Sequence, residues 1–153
     1  MLILTSFKKS KKYVGQKFSI ARFQPSGFVY PELTFLAATG ANGEKLLLED
    51  FEEPILGYER AYLAGIKSRW PEIKQWLDSL DNNKTIILCC WCPYSLATKA
   101  QITNFGSFCC HSGIIGQLVN KSRPDISIIM DDDRKYKLLE KWKPNYIEDS
   151  IGE

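Results

Sequence analysis

The chain has 153 residues, of which 44% are hydrophobic, 12% aromatic and 25% charged, and its net charge is +2. This profile is that of a folded globular protein of one domain, which excludes a disordered chain and needs no disulfide or metal to hold its core. No apolar run approaches the roughly 18 residues that span a bilayer.

The first third of the chain predicts short strands. β-branched and aromatic residues concentrate in residues 2–7 and 17–22, with Gly15 marking a turn, so we expect an opening hairpin or pair of strands. Residues 33–39 predict a further strand that ends at Gly40.

Helical periodicity begins at Pro54. One apolar stripe predicts a helix over 54–67, and a second helix starts near Pro71, since proline suits a first helical turn. The stripe residues are Ile55, Tyr58, Tyr62, Leu63 and Ile66 in the first helix, and Ile73, Trp76, Leu77 and Leu80 in the second.

The unbroken apolar run 85–89 predicts a central strand that is covered on both faces. A helix that Ser112 caps and that ends near Lys121, a buried strand over 126–130 and a helix over 134–142 follow. This alternation predicts an α/β fold, a Rossmann-like open and mostly parallel sheet with helices on both faces. We expect a single domain over 1–143 and a polar tail over 144–153.

The charges and the cysteines indicate a cytoplasmic protein without membrane contact. Residues 2–4 are apolar and precede the first lysines, the reverse of the order in a signal peptide. Five cysteines, an odd number, do not suit a secreted disulfide framework. Lysines cluster near both ends, but such runs are usually solvated surface, so nucleic acid is an open and not a favoured partner. The oligomeric state stays open.

Cysteine and histidine residues lie where the central strand stops. In open α/β sheets ligands bind beyond the carboxyl ends of the strands, which is where Cys90, Trp91 and Cys92 stand. Cys110 and His111 stand at the start of the next helix, where free N–H groups and the helix dipole attract anions and lower a thiol pKa. These residues form the candidate site.

Three chemistries remain open for this cluster. Three thiols and an imidazole suit zinc, although one residue separates Cys90 from Cys92 where zinc sites usually have two to four. Cysteine is also a common core residue, so packing alone is an alternative, and we expect Cys89 to be core. The third is a pocket for a small ligand.

The sequence Leu88-Cys89-Cys90-Trp91-Cys92, followed by Cys110-His111 and an apolar helix, resembles the family catalogued as domain of unknown function 488. The resemblance covers residues 51–121. It implies a compact α/β fold with a pocket at Cys90 or Cys92, Cys110 and His111, and it implies no particular activity. The chain departs from the family in the longer insertion 93–109 and in Ser112, where many relatives have arginine.

Together these observations predict a protein that binds a phosphate-containing or nucleotide-like anion. His111 and helix N–H groups would hold the anion, and Cys90 or Cys110 would line the pocket or act as catalytic nucleophile. Trp91 and Tyr94 would stack on a base or sugar, and Cys92 and Ser112 would complete the lining. Whether the protein is an enzyme, and which cofactor it takes, stay open. The alternative is a non-catalytic interaction module, stabilised by zinc or binding nucleic acid or protein.

Overall fold

The computed structural model describes residues 1–47, 50–51, 54–90, 102–103, 106–107 and 111–130. Its elements in chain order are β1 (Leu2–Ser6), α1 (Phe7–Ser10), β2 (Gln16–Ser19), a 3₁₀ turn (Thr34–Leu36), α2 (Pro54–Ser68), α3 (Trp70–Ser79), β3 (Ile86–Cys90), β4 (Ile102–Thr103), β5 (Gly106–Ser107), α4 (His111–Ser122) and β6 (Ile128–Met130). The predicted helix over 134–142 and the tail over 144–153 lie outside the described residues.

Four strands form an all-parallel sheet in the order β2-β3-β1-β6, and β4 and β5 form a separate antiparallel pair. Leu88 of β3 lies opposite Phe18 of β2 on one side and Leu4 of β1 on the other. The prediction of a central strand is therefore confirmed, and so is the open parallel α/β fold. The helices predicted from Pro54 and Pro71 are confirmed as α2 and α3.

The two faces of the sheet have different covers. One face, which we call the helical face, packs Leu2, Leu4, Leu88 and Cys90 against residues of α2, α3 and α4. The other, the aromatic face, carries Ile3, Ile87 and Cys89, and is covered by Phe7 of α1 and by the rings of Tyr13, Phe28 and Tyr30. Side chains of neighbouring strand residues point to opposite faces, so the apolar run of β3 supplies both layers.

The prediction of an opening hairpin is wrong. The chain leaves β1 through α1, whose first turn is capped by the Ser6 hydroxyl accepting from the backbone N–H of Lys9 at 3.3 Å. This short helix carries the chain over the sheet, so that β2 starts at the same edge as β1 and runs parallel to it. Strand β3 then lies between the two.

The strand predicted over 33–39 is also absent, and a 3₁₀ turn stands in its place. The carbonyl groups that would pair with a neighbouring strand accept hydrogen bonds from side chains instead. The Tyr62 hydroxyl donates to the carbonyl oxygen of Leu36 at 2.8 Å, and Arg69 Nε donates to that of Phe35 at 2.9 Å. The strand predicted over 126–130 is confirmed only over Ile128–Met130. It lies at the edge of the described sheet, with Ile129 36% exposed, and is not the buried strand expected.

Two arginines tie the helices to their surroundings. Arg69, at the end of α2, also donates to the carbonyl groups of Thr39 and Gly40. Arg123, which follows α4, donates to two carbonyl groups at the end of α3 and pairs with Asp125 at 2.8 Å. The hydrogen bond from Arg123 holds the pKa of Asp125 below its ordinary value. Within the described parts of the chain, no helix is both long and apolar enough to cross a bilayer.

Replacing Arg69 with methionine tests the link between α2 and residues 35–40. Methionine keeps a long side chain but removes the arginine donor from the carbonyl groups of Phe35, Thr39 and Gly40, of which only Gly40 still accepts from a backbone N–H group, that of Gly43. Since hydrogen bonds from a charged donor contribute about 1.5–3 kcal/mol each and are not additive, we expect the free energy of unfolding to fall by about 2–4 kcal/mol in a urea titration. The exposed Lys67→Met should change it by less than about 0.5 kcal/mol. Equal effects of the two substitutions would contradict this role of Arg69.

Candidate functional site at the carboxyl edge of the sheet

The carboxyl ends of β1 and β3 meet at one edge of the sheet, with Ser6 opposite Cys90. From there β1 runs into α1 on the aromatic face, whereas the chain after β3 leads to α4 on the helical face. Adjacent strands whose connections leave to opposite faces create a crevice between them, which is the usual ligand site of open α/β sheets. Cys90, the predicted site residue that ends β3, therefore lies at the edge where open α/β sheets place ligands.

His111 is the first residue of α4 and is only 4% exposed. Its Nε2 atom lies 2.8 Å from the carbonyl oxygen of Ile20. A carbonyl oxygen can only accept, so Nε2 carries the proton and donates. The N–H group of the same Ile20 donates to the carbonyl of Cys89 at 3.0 Å. One peptide segment after β2 thus joins the imidazole to the end of β3.

The second ring nitrogen of His111, Nδ1, is buried and has no hydrogen-bond partner among the described residues. With Nε2 protonated, Nδ1 is an acceptor in the neutral ring and a donor in the imidazolium. A buried polar atom without a partner costs about 1–3 kcal/mol, so nearly all such atoms in native proteins are bonded to protein, water or ligand. Among the described residues, this nitrogen is therefore a candidate contact for a ligand.

Tyr62 of α2 holds the imidazole from the side. The two rings meet edge to face, with centroids 5.3 Å apart and planes at 61°. The Tyr62 side chain is itself completely buried and held by the hydrogen bond to Leu36. The imidazole is thus fixed both by a hydrogen bond and by a rigid aromatic neighbour, which gives Nδ1 a defined position.

A buried carboxylate on α2 was missed by the sequence analysis. Glu59 of α2 is 0% exposed and stands one turn before Tyr62, and three or four residues along a helix bring side chains to the same side. The signal was present in the sequence, because Glu59 interrupts the apolar stripe that runs through Tyr62 and Ile66. A glutamate at such a position is rarely buried unless its charge is compensated.

The structure brings three of the predicted site residues to this edge. Cys90 ends β3 and is 3% exposed within the apolar cluster of the helical face, while Ser112 follows His111 in α4 and is 2% exposed. Cys89 packs on the aromatic face, which confirms the prediction that it is core. The other predicted site residues, Trp91, Cys92, Tyr94 and Cys110, lie outside the described residues.

Among the side chains that the structure describes, no three of histidine, cysteine, aspartate or glutamate gather as a metal site requires. Comparisons of the chain with protein-family models, with curated proteins and with solved structures give no match. The resemblance to the domain of unknown function 488 family stays a prediction.

The burial of the two described thiols can be measured. The Cys89 and Cys90 side chains are buried, with 0% and 3% exposure, so iodoacetamide should modify both far more slowly in the folded protein than in urea. Peptide mapping by mass spectrometry follows each site, and the urea sample is the control. Fast modification of Cys90 in the folded state would contradict its burial and favour the role of an accessible nucleophile.

The tautomer of His111 can be read directly, because it is the only histidine of the chain. With ¹⁵N-labelled histidine, two-bond ¹H–¹⁵N correlation spectra contain the signals of a single imidazole ring. We expect a protonated Nε2 whose proton exchanges slowly, since it donates to a buried carbonyl. A neutral ring protonated at Nδ1 would be incompatible with the hydrogen bond to Ile20.

Proposed function

We propose that this protein binds a small phosphate-containing or nucleotide-like anion in the crevice beside the first turn of α4. The observation that carries the proposal is the imidazole of His111, which is almost fully buried and fixed through Nε2, with Nδ1 lacking a partner among the described residues. Such a nitrogen at a helix start is a prepared contact for a ligand oxygen.

The chemistry of the helix start favours a negative charge. The first N–H groups of a helix have no partner within the helix, and the dipole adds the equivalent of about half a positive charge there. An anion oxygen that accepts from these N–H groups and from Nδ1 of the imidazolium would satisfy both. Ligand binding therefore goes together with protonation of His111 in this proposal.

The remaining predicted residues complete the proposed pocket. Cys90 contributes an apolar wall, Ser112 and Cys92 add to the lining, and Trp91 and Tyr94 stack on a base or sugar. Cys110, which precedes His111, is the candidate nucleophile if the protein also performs a reaction, because a helix start lowers the pKa of a thiol. The resemblance to the domain of unknown function 488 family, a cytoplasmic location and the single-domain reading belong to the same proposal.

Calorimetric titration with sulfate, inorganic phosphate and a panel of nucleotides tests the proposal. We expect binding by at least one member of the panel and a loss of at least about tenfold in affinity in His111→Gln, since a hydrogen bond to a charged group contributes about 1.5–3 kcal/mol. Ile126→Val is the matched control, because Ile126 is 6% exposed at the amino edge of the sheet and its truncation lowers stability without touching the crevice. No heat with any member, or equal loss in the control, would reject the proposal.

Metal analysis separates the alternative module from the pocket. Stoichiometric zinc in protein purified without chelator, together with unchanged sulfate binding in His111→Gln, would favour the interaction module stabilised by zinc. Sulfate binding that survives chelation and depends on His111 would favour the pocket.

A further inference from the structure

The positive charge of the chain is concentrated at its start. Residues 1–31 contain six lysines and arginines and no aspartate or glutamate, and the first acidic residue is Glu32. Since the whole chain has a net charge of +2, the residues after position 31 carry a net charge of −4. The basic residues are Lys8, Lys9, Lys11, Lys12, Lys17 and Arg22.

Three of these cations, Lys11, Lys12 and Lys17, lie over rings of the aromatic face. Phe7, Phe28 and Tyr30 form a ring cluster there, with centroids 5.4 to 6.1 Å apart. The Nζ atom of Lys11 lies 5.0 Å from the centre of Phe28, and that of Lys17 lies 6.0 Å from the centre of Tyr30. We call the surface that the rings and basic side chains of residues 7–30 form the basic-aromatic surface.

One ring next to these cations is more than half exposed to solvent. Phe23 is 59% exposed, and the guanidinium carbon of Arg22 lies 5.9 Å from its centre. Phe23 follows the carboxyl end of β2. Its ring lies beside Arg22 and outside the buried core. Exposed rings next to lysine and arginine are the components that single-stranded nucleic acid requires, namely platforms for bases and charges for phosphates.

We propose that the basic-aromatic surface binds single-stranded nucleic acid, with Lys8, Lys11 and Arg22 against phosphates and a base stacked on Phe23. A bilayer fits this surface less well, because insertion needs one contiguous apolar patch. The exposed Val14 and Phe23 lie at opposite ends of β2, with Lys17 between them, and the exposed Val29 follows later in the chain.

Fluorescence anisotropy with labelled 20-nucleotide RNA and DNA of mixed sequence tests this proposal. The patch variant is Lys8→Glu, Lys11→Glu, Arg22→Glu. The matched control is Lys45→Glu, Lys67→Glu, Lys84→Glu, which makes the same charge change at exposed positions outside the basic-aromatic surface. At about 0.1 M salt we expect the patch variant to bind at least about tenfold more weakly than the control. In the patch variant the slope of log K against the logarithm of the salt concentration should become shallower by about 2, because each of three phosphate contacts with a single strand contributes about 0.7.

Phe23→Leu separates stacking from charge. It should weaken binding at least about fivefold with an unchanged salt slope, since a stacked base needs a ring and the cations stay. Equal weakening of the patch variant and the control would overturn the proposal. Absence of oligonucleotide binding, with or without binding to vesicles that contain phosphatidylserine, would overturn it as well.

Discussion

Strand β3 is the strand on whose pairing and burial the described sheet depends. It pairs with β1 along one edge and with β2 along the other, and its residues Ile87, Leu88 and Cys89 are all 0% exposed. A strand without a polar side chain can lie only between two covering layers, because either face would otherwise expose a continuous apolar row to water. The helical face and the aromatic face follow from that requirement.

The crevice depends on what happens at the carboxyl end of that strand. The carbonyl of Cys89 receives the N–H group of Ile20, and the carbonyl of Ile20 receives the Nε2–H of His111. Two hydrogen bonds thus set the position of the imidazole relative to the sheet, and the Tyr62 ring limits its rotation. The candidate anion site is the remaining nitrogen of a ring that the fold has immobilised.

The two proposed surfaces use the two faces differently. The helical face is thick, with three helices over it, so the polar groups that it encloses at the sheet edge are shielded from water and interact more strongly. The aromatic face is covered by a four-residue helix and a few rings, so its cations remain near solvent and suit a long, charged partner. The proposed anion site and the proposed nucleic-acid surface are therefore compatible with one small sheet.

The periodicity of the chain determined by itself the α/β class, the central position of β3 and the helices α2, α3 and α4, because long amphipathic stripes and an unbroken apolar run each have one favourable environment. It also placed Cys90 and His111 at a strand end and a helix start. Only the tertiary structure decided that β2 runs parallel to β1, since α1 carries the chain across the sheet, and that residues 33–39 form no strand, since Tyr62 and Arg69 bind their carbonyl groups. It alone showed that Ile20 holds His111, because contacts between distant residues leave no periodic trace in the sequence.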